Sequence, residues 1–229
     1  MKVIGKEDNL QLEESRFSPK SPAILSSDIS DRIQSDQLSR ACVPQTQVAE
    51  VTDCLLLCGA AAVWPERLID LGVTCVVSAA PELPDTPLPP GVAFLRVHLE
   101  DHPSANLRVH LDLVADTIEQ VRKRGGKTLV HCVAGVSRSA ALCLGYLVKH
   151  YRMPLRKAFA HLRACRPCVR PNAGFFRQLI EYEQLQLGAA SVDMVHNAVV
   201  DALIPDVYEP EYQAMLWLQQ HYGRRLGRH

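Results

Sequence analysis

Four short segments, 54–59, 73–78, 93–99 and 128–132, carry apolar side chains at nearly every position or at every second one. Runs of this length are too short for stable helices. Where no polar face remains, they read as strands buried on both sides. Such a sheet needs helices on each face, and the intervening chain supplies them. A short helix is expected at 65–71. Leu107, Leu111, Val114, Ile118 and Val121 follow the 3.6-residue period until Gly125-Gly126. Further helical patterns run over about 138–151, 155–165, 173–187 and, less regularly, 210–221. Pro81, Pro84, Pro87, Pro89 and Pro90 forbid regular structure between the second and third strands. The expected fold is α/β: a single domain with a central, mostly parallel sheet flanked by helices.

Residues 1–44 of the 229 are polar, serine-rich and aperiodic and read as a disordered tail. Its Ser18-Pro19 and Ser21-Pro22 pairs suit proline-directed phosphorylation. The ordered pattern fills 45–190, and 191–229 form a C-terminal extension with a short helix. The longest apolar run, 54–64, falls short of the roughly 18–20 residues of a membrane span. No apolar leader core occupies the first twenty residues, and Glu7, Asp8, Glu13 and Glu14 disfavour a transit peptide. Eight cysteines without a leader fit a reducing compartment, with the cytoplasm as the expected location. Cys54, Cys58, Cys75, Cys143, Cys165 and Cys168 are expected to be mostly core thiols. Net charge is zero, yet residues 120–180 hold 13 basic side chains and no acidic one. That imbalance reads either as a surface facing anions or as a solvated basic face.

The segment His131-Cys132-Val133-Ala134-Gly135-Val136-Ser137-Arg138-Ser139 lies between the 128–132 strand and the helix starting near Arg138. A strand, a short turn and a helix N-terminus together make an anion-binding loop. Amides from Val133 through Ala134, Gly135, Val136 and Ser137 to Arg138 are placed to bind phosphoryl oxygens. Arg138 adds a planar bidentate contact that lysine cannot imitate. A free thiol titrates near 8.5, whereas one at a helix N-terminus beside cations falls to about 3.5–7.5, so Cys132 is expected to react as a thiolate. Ser139 is placed to donate to the sulfur, and His131 to shape the loop rather than act as a base. The bland alternative is an inert buried thiol followed by a helix-start cation.

This motif resembles the signature of the cysteine-dependent protein tyrosine phosphatases, and Gly135 to Ala140 resembles their dual-specificity branch. The likeness covers about Val48 to Met215. It includes Arg166-Pro167, Arg170-Pro171-Asn172, Gly174-Phe175-Phe176 and Ile204-Pro205-Asp206-Val207-Tyr208-Glu209, as in the small atypical members that lack a kinase-docking domain. The resemblance implies hydrolysis of phosphotyrosine and phosphoserine/threonine through a phosphocysteine intermediate. Cys132 would be the nucleophile, Arg138 the transition-state ligand, Ser139 the stabiliser of the departing thiolate and Asp101 the general acid and base. Glu100 is the rival carboxylate for that last role. Asn172 would brace the loop, or else simply cap the helix after it.

No cofactor is implied and no metal is expected, since Cys165-x-x-Cys168 has no second pair beside it. Phosphorylated proteins are the implied partners, with mitogen-activated kinases among candidate substrates; neither nucleic acid nor a membrane span is expected, and oligomeric state is not indicated. Arg163, Arg166 and Arg170 are expected near the site as attractors of acidic flanking residues. By analogy with relatives, nucleus and mitochondria join the cytoplasm as locations. Two competing readings are a phosphoprotein-binding module with little turnover and a rhodanese-type sulfur transferase. The presence of Cys132, Arg138 and Asp101 argues against the first, and His131, Ser139 and the upstream Asp101 against the second.

Overall fold

All four expected strands pair in one sheet. In the computed structural model, which describes residues 46–85 and 87–222, the expected tail at 1–44 lies outside the described residues. Strands β1 (Ala49–Thr52), β2 (Leu55–Gly59), β3 (Val73–Ser78), β4 (Ala93–Arg96) and β5 (Lys127–Cys132) lie in the order β1-β2-β5-β3-β4. β1 runs antiparallel to β2, and every other neighbouring pair is parallel.

Side chains alternate across a strand, so each strand feeds two cores. Leu55, Leu57, Val77, Val130 and Cys132 face the larger one. Leu56, Cys58, Val76 and Leu129 face the smaller, which α1 (Pro65–Asp70) covers with Leu68. The larger core lies under α2 (Arg108–Lys123), α3 (Arg138–His150), α4 (Leu155–Cys165) and α5 (Ala173–Leu187). α3 is apolar nearly all round and is buried from Arg138 to Val148, as expected of a helix enclosed on all sides. β5 is central, with β2 and β3 on its two sides. Its carboxyl end is therefore a switch point of the kind where open α/β sheets bind ligands.

Three features depart from the sequence reading. The third strand pairs regularly only to Arg96, not to residue 99; Val97 still donates to Ser78, and Leu99 turns back to Val97. β1 was not foreseen, because four residues carry too little period to register. The C-terminal extension is more than a helix: β6 (Met194–Asn197) and β7 (Ala202–Pro205) form an antiparallel hairpin before α6 (Glu209–Tyr222). Val192, Ile204 and Tyr208 belong to the larger core. The Tyr208 ring packs on Phe159 and Phe176 at 5.6 and 5.2 Å.

The carboxylate-free stretch folds against acidic residues from the flanking sequence. Arg138 pairs with Glu82, Arg122 with Glu119, and Lys149 with Asp112 and Asp116. Arg156 pairs with Asp206, while Arg163 and Arg170 share Glu211. Much of the charge is therefore internal pairing rather than an open anion-binding face.

Glu119, buried in α2, accepts from Arg122 Nε and Nη2 at 2.8 and 2.7 Å and from the Tyr146 hydroxyl at 3.4 Å. The Arg122 hydrogen bonds, acting against desolvation, lower its pKa from 4.5 to about 2. A carboxylate held down in the folded state stabilises it fully above 4.5, and that contribution fades as pH falls toward 2. The urea midpoint of the wild type is thus expected to drop more steeply between pH 4.5 and 3 than that of Glu119→Gln; parallel profiles would remove Glu119 from the acid sensitivity.

Candidate active site

β5 ends at Cys132, residues 133–137 turn, and α3 begins at Arg138. Strand parity puts Cys132 against the helices, with 2% of its surface exposed. Its sulfur accepts hydrogen bonds from the Gly135 amide at 3.3 Å and the Ser139 hydroxyl at 3.1 Å. Both donors favour a sulfur carrying negative charge.

The five loop carbonyls are each taken by a donor outside the turn. Val133 O accepts from Ala60 N, Ala134 O from Arg166 Nη2 and Gly135 O from Arg166 Nε. Val136 O accepts from Arg170 N, and Ser137 O from Ala141 N. All five distances lie between 2.9 and 3.0 Å. In a trans peptide the N–H points opposite to the C=O, so the amides of residues 134–138 turn away from those donors, toward the sulfur side. Gly135 makes the turn possible. Its φ is +69°, and a Cβ there would sit 2.5 Å from the Cys58 carbonyl group. Val133 and Ala134 are exposed at the rim, Val136 is half-buried and Ser137 is buried.

Arg138 is 5% exposed and reaches across the mouth. Its Nη1 donates to Glu82 Oε2 at 2.8 Å, its Nη2 meets Glu82 Oε1 at 2.6 Å, and Nη1 also approaches Leu99 O at 3.4 Å. Nε is buried without a partner among the described residues, and the nearest carboxylate oxygen, Asp101 Oδ2, is 3.9 Å away. One edge of the guanidinium is thus anchored, and the other keeps a desolvated donor that an anion would satisfy. The Arg138 hydrogen bond holds the Glu82 carboxyl below its usual range.

Asp101 sits over the loop. Its Oδ1 accepts from the Ser137 hydroxyl at 2.7 Å and from Asn172 Nδ2 at 3.0 Å. Glu100 is exposed and has no such partner among the described residues. The Asn172 Oδ1 caps α5 by accepting from Phe175 N at 2.9 Å, while its amide nitrogen donates to Asp101 rather than to the loop. The Asn172 main-chain N–H also reaches Ser137 Oγ at 3.3 Å. His131 shapes the loop only weakly, through Nδ1 to Cys132 O at 3.4 Å; burial pushes its pKa down, which keeps the ring neutral.

The arginines expected to attract acidic substrate residues are otherwise engaged. Arg163 and Arg170 hold Glu211, and the Arg170 guanidinium lies over Tyr208 and Tyr212 at 4.2 and 5.4 Å from the ring centres. Arg166 is 2% exposed and serves the back of the loop. Cys54, Cys58, Cys75 and Cys143 are buried, but Cys165 and Cys168 are half-buried rather than core. Burial raises Cys58 to about 12 and Cys143 further, so these thiols are inert beside Cys132. Glu82 was not legible as a site residue, and Arg166 was expected near the site only as an attractor of acidic substrate residues, not as a donor to the loop carbonyls. Glu82 lies in the proline-rich loop 56 positions from its partner, and no local spacing marks either residue.

Residues 55–185 match the family model "Dual specificity phosphatase, catalytic domain". Dual specificity protein phosphatase 14 of Mus musculus is 43% identical over 170 residues, covering 74% of this chain and 84% of the relative. Dual specificity protein phosphatase 18 of Homo sapiens is 42% identical over 144 residues, covering 63% and 75%. Among solved structures, human DUSP28 superposes with a TM-score of 0.59 at 38% identity, over 63% of this chain and 96% of that one.

Gly174, in the first turn of α5, leaves no room for a side chain: a Cβ would lie 1.9 Å from the Pro103 carbonyl oxygen. Pro103 follows Asp101 by two residues, so this contact sets where the Asp101 loop rests. Gly174→Ala is expected to cost about 1–3 kcal/mol of stability. Hydrogen exchange should quicken in residues 100–107 while β5 stays protected; unchanged exchange there would show that the close approach does not hold the loop.

Proposed function

This chain belongs to the dual-specificity protein phosphatases, enzymes of the phosphocysteine type, and on that premise we propose that Cys132, Arg138 and Asp101 carry its reaction. The unit proposed for this is residues 45–190, with 1–44 a tail and 191–229 a C-terminal extension, of which Val192, Ile204 and Tyr208 join the larger core. The observation that carries the reading is a sulfur lying beneath a turn whose carbonyls all point away from it.

In the first step the Cys132 sulfur attacks phosphorus in line and the bond to the seryl, threonyl or tyrosyl oxygen breaks. Asp101 gives that oxygen its proton. The amides of residues 134–138 and the free Nε of Arg138 hold the equatorial oxygens, whose charge grows in the transition state. Glu82 positions Arg138 so that Nε rather than the Nη pair faces the phosphoryl group. In the second step Asp101 takes a proton from water as it attacks the phosphocysteine. Inorganic phosphate leaves, and the sulfur returns to its bonds with Gly135 N and Ser139 Oγ.

The substrate is a phosphorylated protein. Arg138 is the only cation within the loop, which suits one phosphate on a side chain rather than a polyphosphorylated headgroup. Mitogen-activated kinases stand among the proposed substrates. No described helix is long and apolar enough to cross a membrane, and the cytoplasm, with nucleus or mitochondria by analogy, is the proposed location. The reading as a binding module with little turnover is disfavoured by Asp101, since a module that only binds needs no proton donor held over the leaving oxygen.

Turnover of p-nitrophenyl phosphate is expected to survive chelators, to vanish in Cys132→Ser and to fall by about 10²–10⁴ in Asp101→Ala. Glu100→Ala should stay near wild type, and Arg138→Lys should lose most activity. Glu82→Gln should weaken vanadate binding by freeing Arg138. Wild-type turnover by Cys132→Ser would overturn the mechanism, and a larger loss in Glu100→Ala than in Asp101→Ala would reassign the acid.

A further inference from the structure

We propose that Arg166 tunes the reactivity of the Cys132 sulfur through the peptide group joining Ala134 to Gly135; this rests on Cys132 being the nucleophile. Arg166 is 2% exposed at the end of α4, yet it has no carboxylate partner among the described residues. Among the described residues its side-chain hydrogen bonds all go to main-chain oxygens: Ala134 O from Nη2 at 3.0 Å, Gly135 O from Nε at 2.9 Å and Gln47 O from Nη1 at 3.1 Å. A buried guanidinium paired only with neutral carbonyls is a costly arrangement that a structural brace does not require.

What the cation faces gives it a use. Ala134 C=O and Gly135 N–H are the two ends of one planar peptide. The oxygen end takes Arg166 Nη2, and the nitrogen end donates to Cys132 Sγ at 3.3 Å. A positive charge drawing on the oxygen polarises the unit and strengthens its N–H as a donor. The next peptide repeats the design: Arg166 Nε holds Gly135 O, and the N–H of that unit belongs to Val136, on the phosphate side of the turn. One buried cation therefore polarises two successive loop peptides from behind. Arg138 serves the anion from in front. The two contacts need the fork of a guanidinium, so a lysine would supply the charge without the second bond. The backbone pins the residue in place, since Arg166 N donates to Leu162 O and Arg166 O accepts from Val169 N.

Arg166 is thus a positioning residue, and the test must separate polarisation from bracing. In the full chain, iodoacetamide alkylation of Cys132 would be followed by mass spectrometry at pH 6 and pH 9 for wild type, Arg166→Gln and Arg166→Lys. Thermal unfolding would be run on each. Arg166→Gln is expected to slow alkylation at pH 6 by roughly tenfold, the scale of one lost charge-assisted hydrogen bond, with the pH 9 rate within about twofold of wild type. Arg166→Lys should fall between the two.

Equal slowing at both pH values, or none, would overturn the proposal and leave Arg166 a brace. Should wild-type Cys132 itself fail to react preferentially at pH 6, the nucleophile reading fails instead. If Arg166→Gln does not fold, the wild type still decides. Its Arg166 Nε–H resonance should be protected from exchange and should shift when Cys132 is alkylated, and a freely exchanging resonance would refute the relay.

Discussion

Five successive peptide carbonyls that point away from one sulfur are what the remainder of this molecule is arranged to maintain. A short turn left to itself has no reason to aim its amides at one spot, because each of its oxygens would seek whatever donor lay nearest. Here the donors come from four places: the residue after β2, the start of α3, the end of α4 and the loop before α5. Each lies outside the turn, and each is fixed by an element packed on the same sheet. The price is paid in tolerance, since Gly135 already sits against the Cys58 backbone and cannot carry a side chain.

Charge follows the same plan. The stretch is rich in arginine and lysine, but acidic residues from before and after it take up much of that charge. What remains near the loop is selective. Among the described residues Arg138 keeps one unpaired donor, and Arg166 directs its donors to carbonyls. The cations at the loop are two guanidiniums at fixed positions rather than a generally basic surface.

Asp101 depends on a different support. Its carboxyl is held by Ser137 and Asn172, and its loop rests on Gly174. Both Asn172 and Gly174 lie at the start of α5, so the helix that closes the core also sets the distance from acid to loop. The C-terminal extension reaches the same region: the Tyr208 hydroxyl donates to Pro171 O at 2.8 Å, and its ring lies under Arg170, whose N–H holds Val136 O. Substitutions in that extension can therefore reach the site without touching it.

The strands were legible because apolar runs at 54–59 and 128–132 have no other low-energy home, and the loop because a cysteine, a glycine and an arginine stood at fixed offsets between a strand and a helix. The structure brings Ser139 to the sulfur and sets Asp101 over the loop with Asn172 on its carboxyl, three residues that the motif and the resemblance had named. These are local relations, or relations to a segment the motif already names. β1 and the β6–β7 hairpin escaped, being four residues long with little period. Glu82, and the hold of Arg166 on the loop carbonyls, escaped for a deeper reason. Each acts through a partner dozens of positions away, brought near only when β3 and α4 pack beside β5, and sequence spacing carries no record of contacts that depend on how whole elements stack.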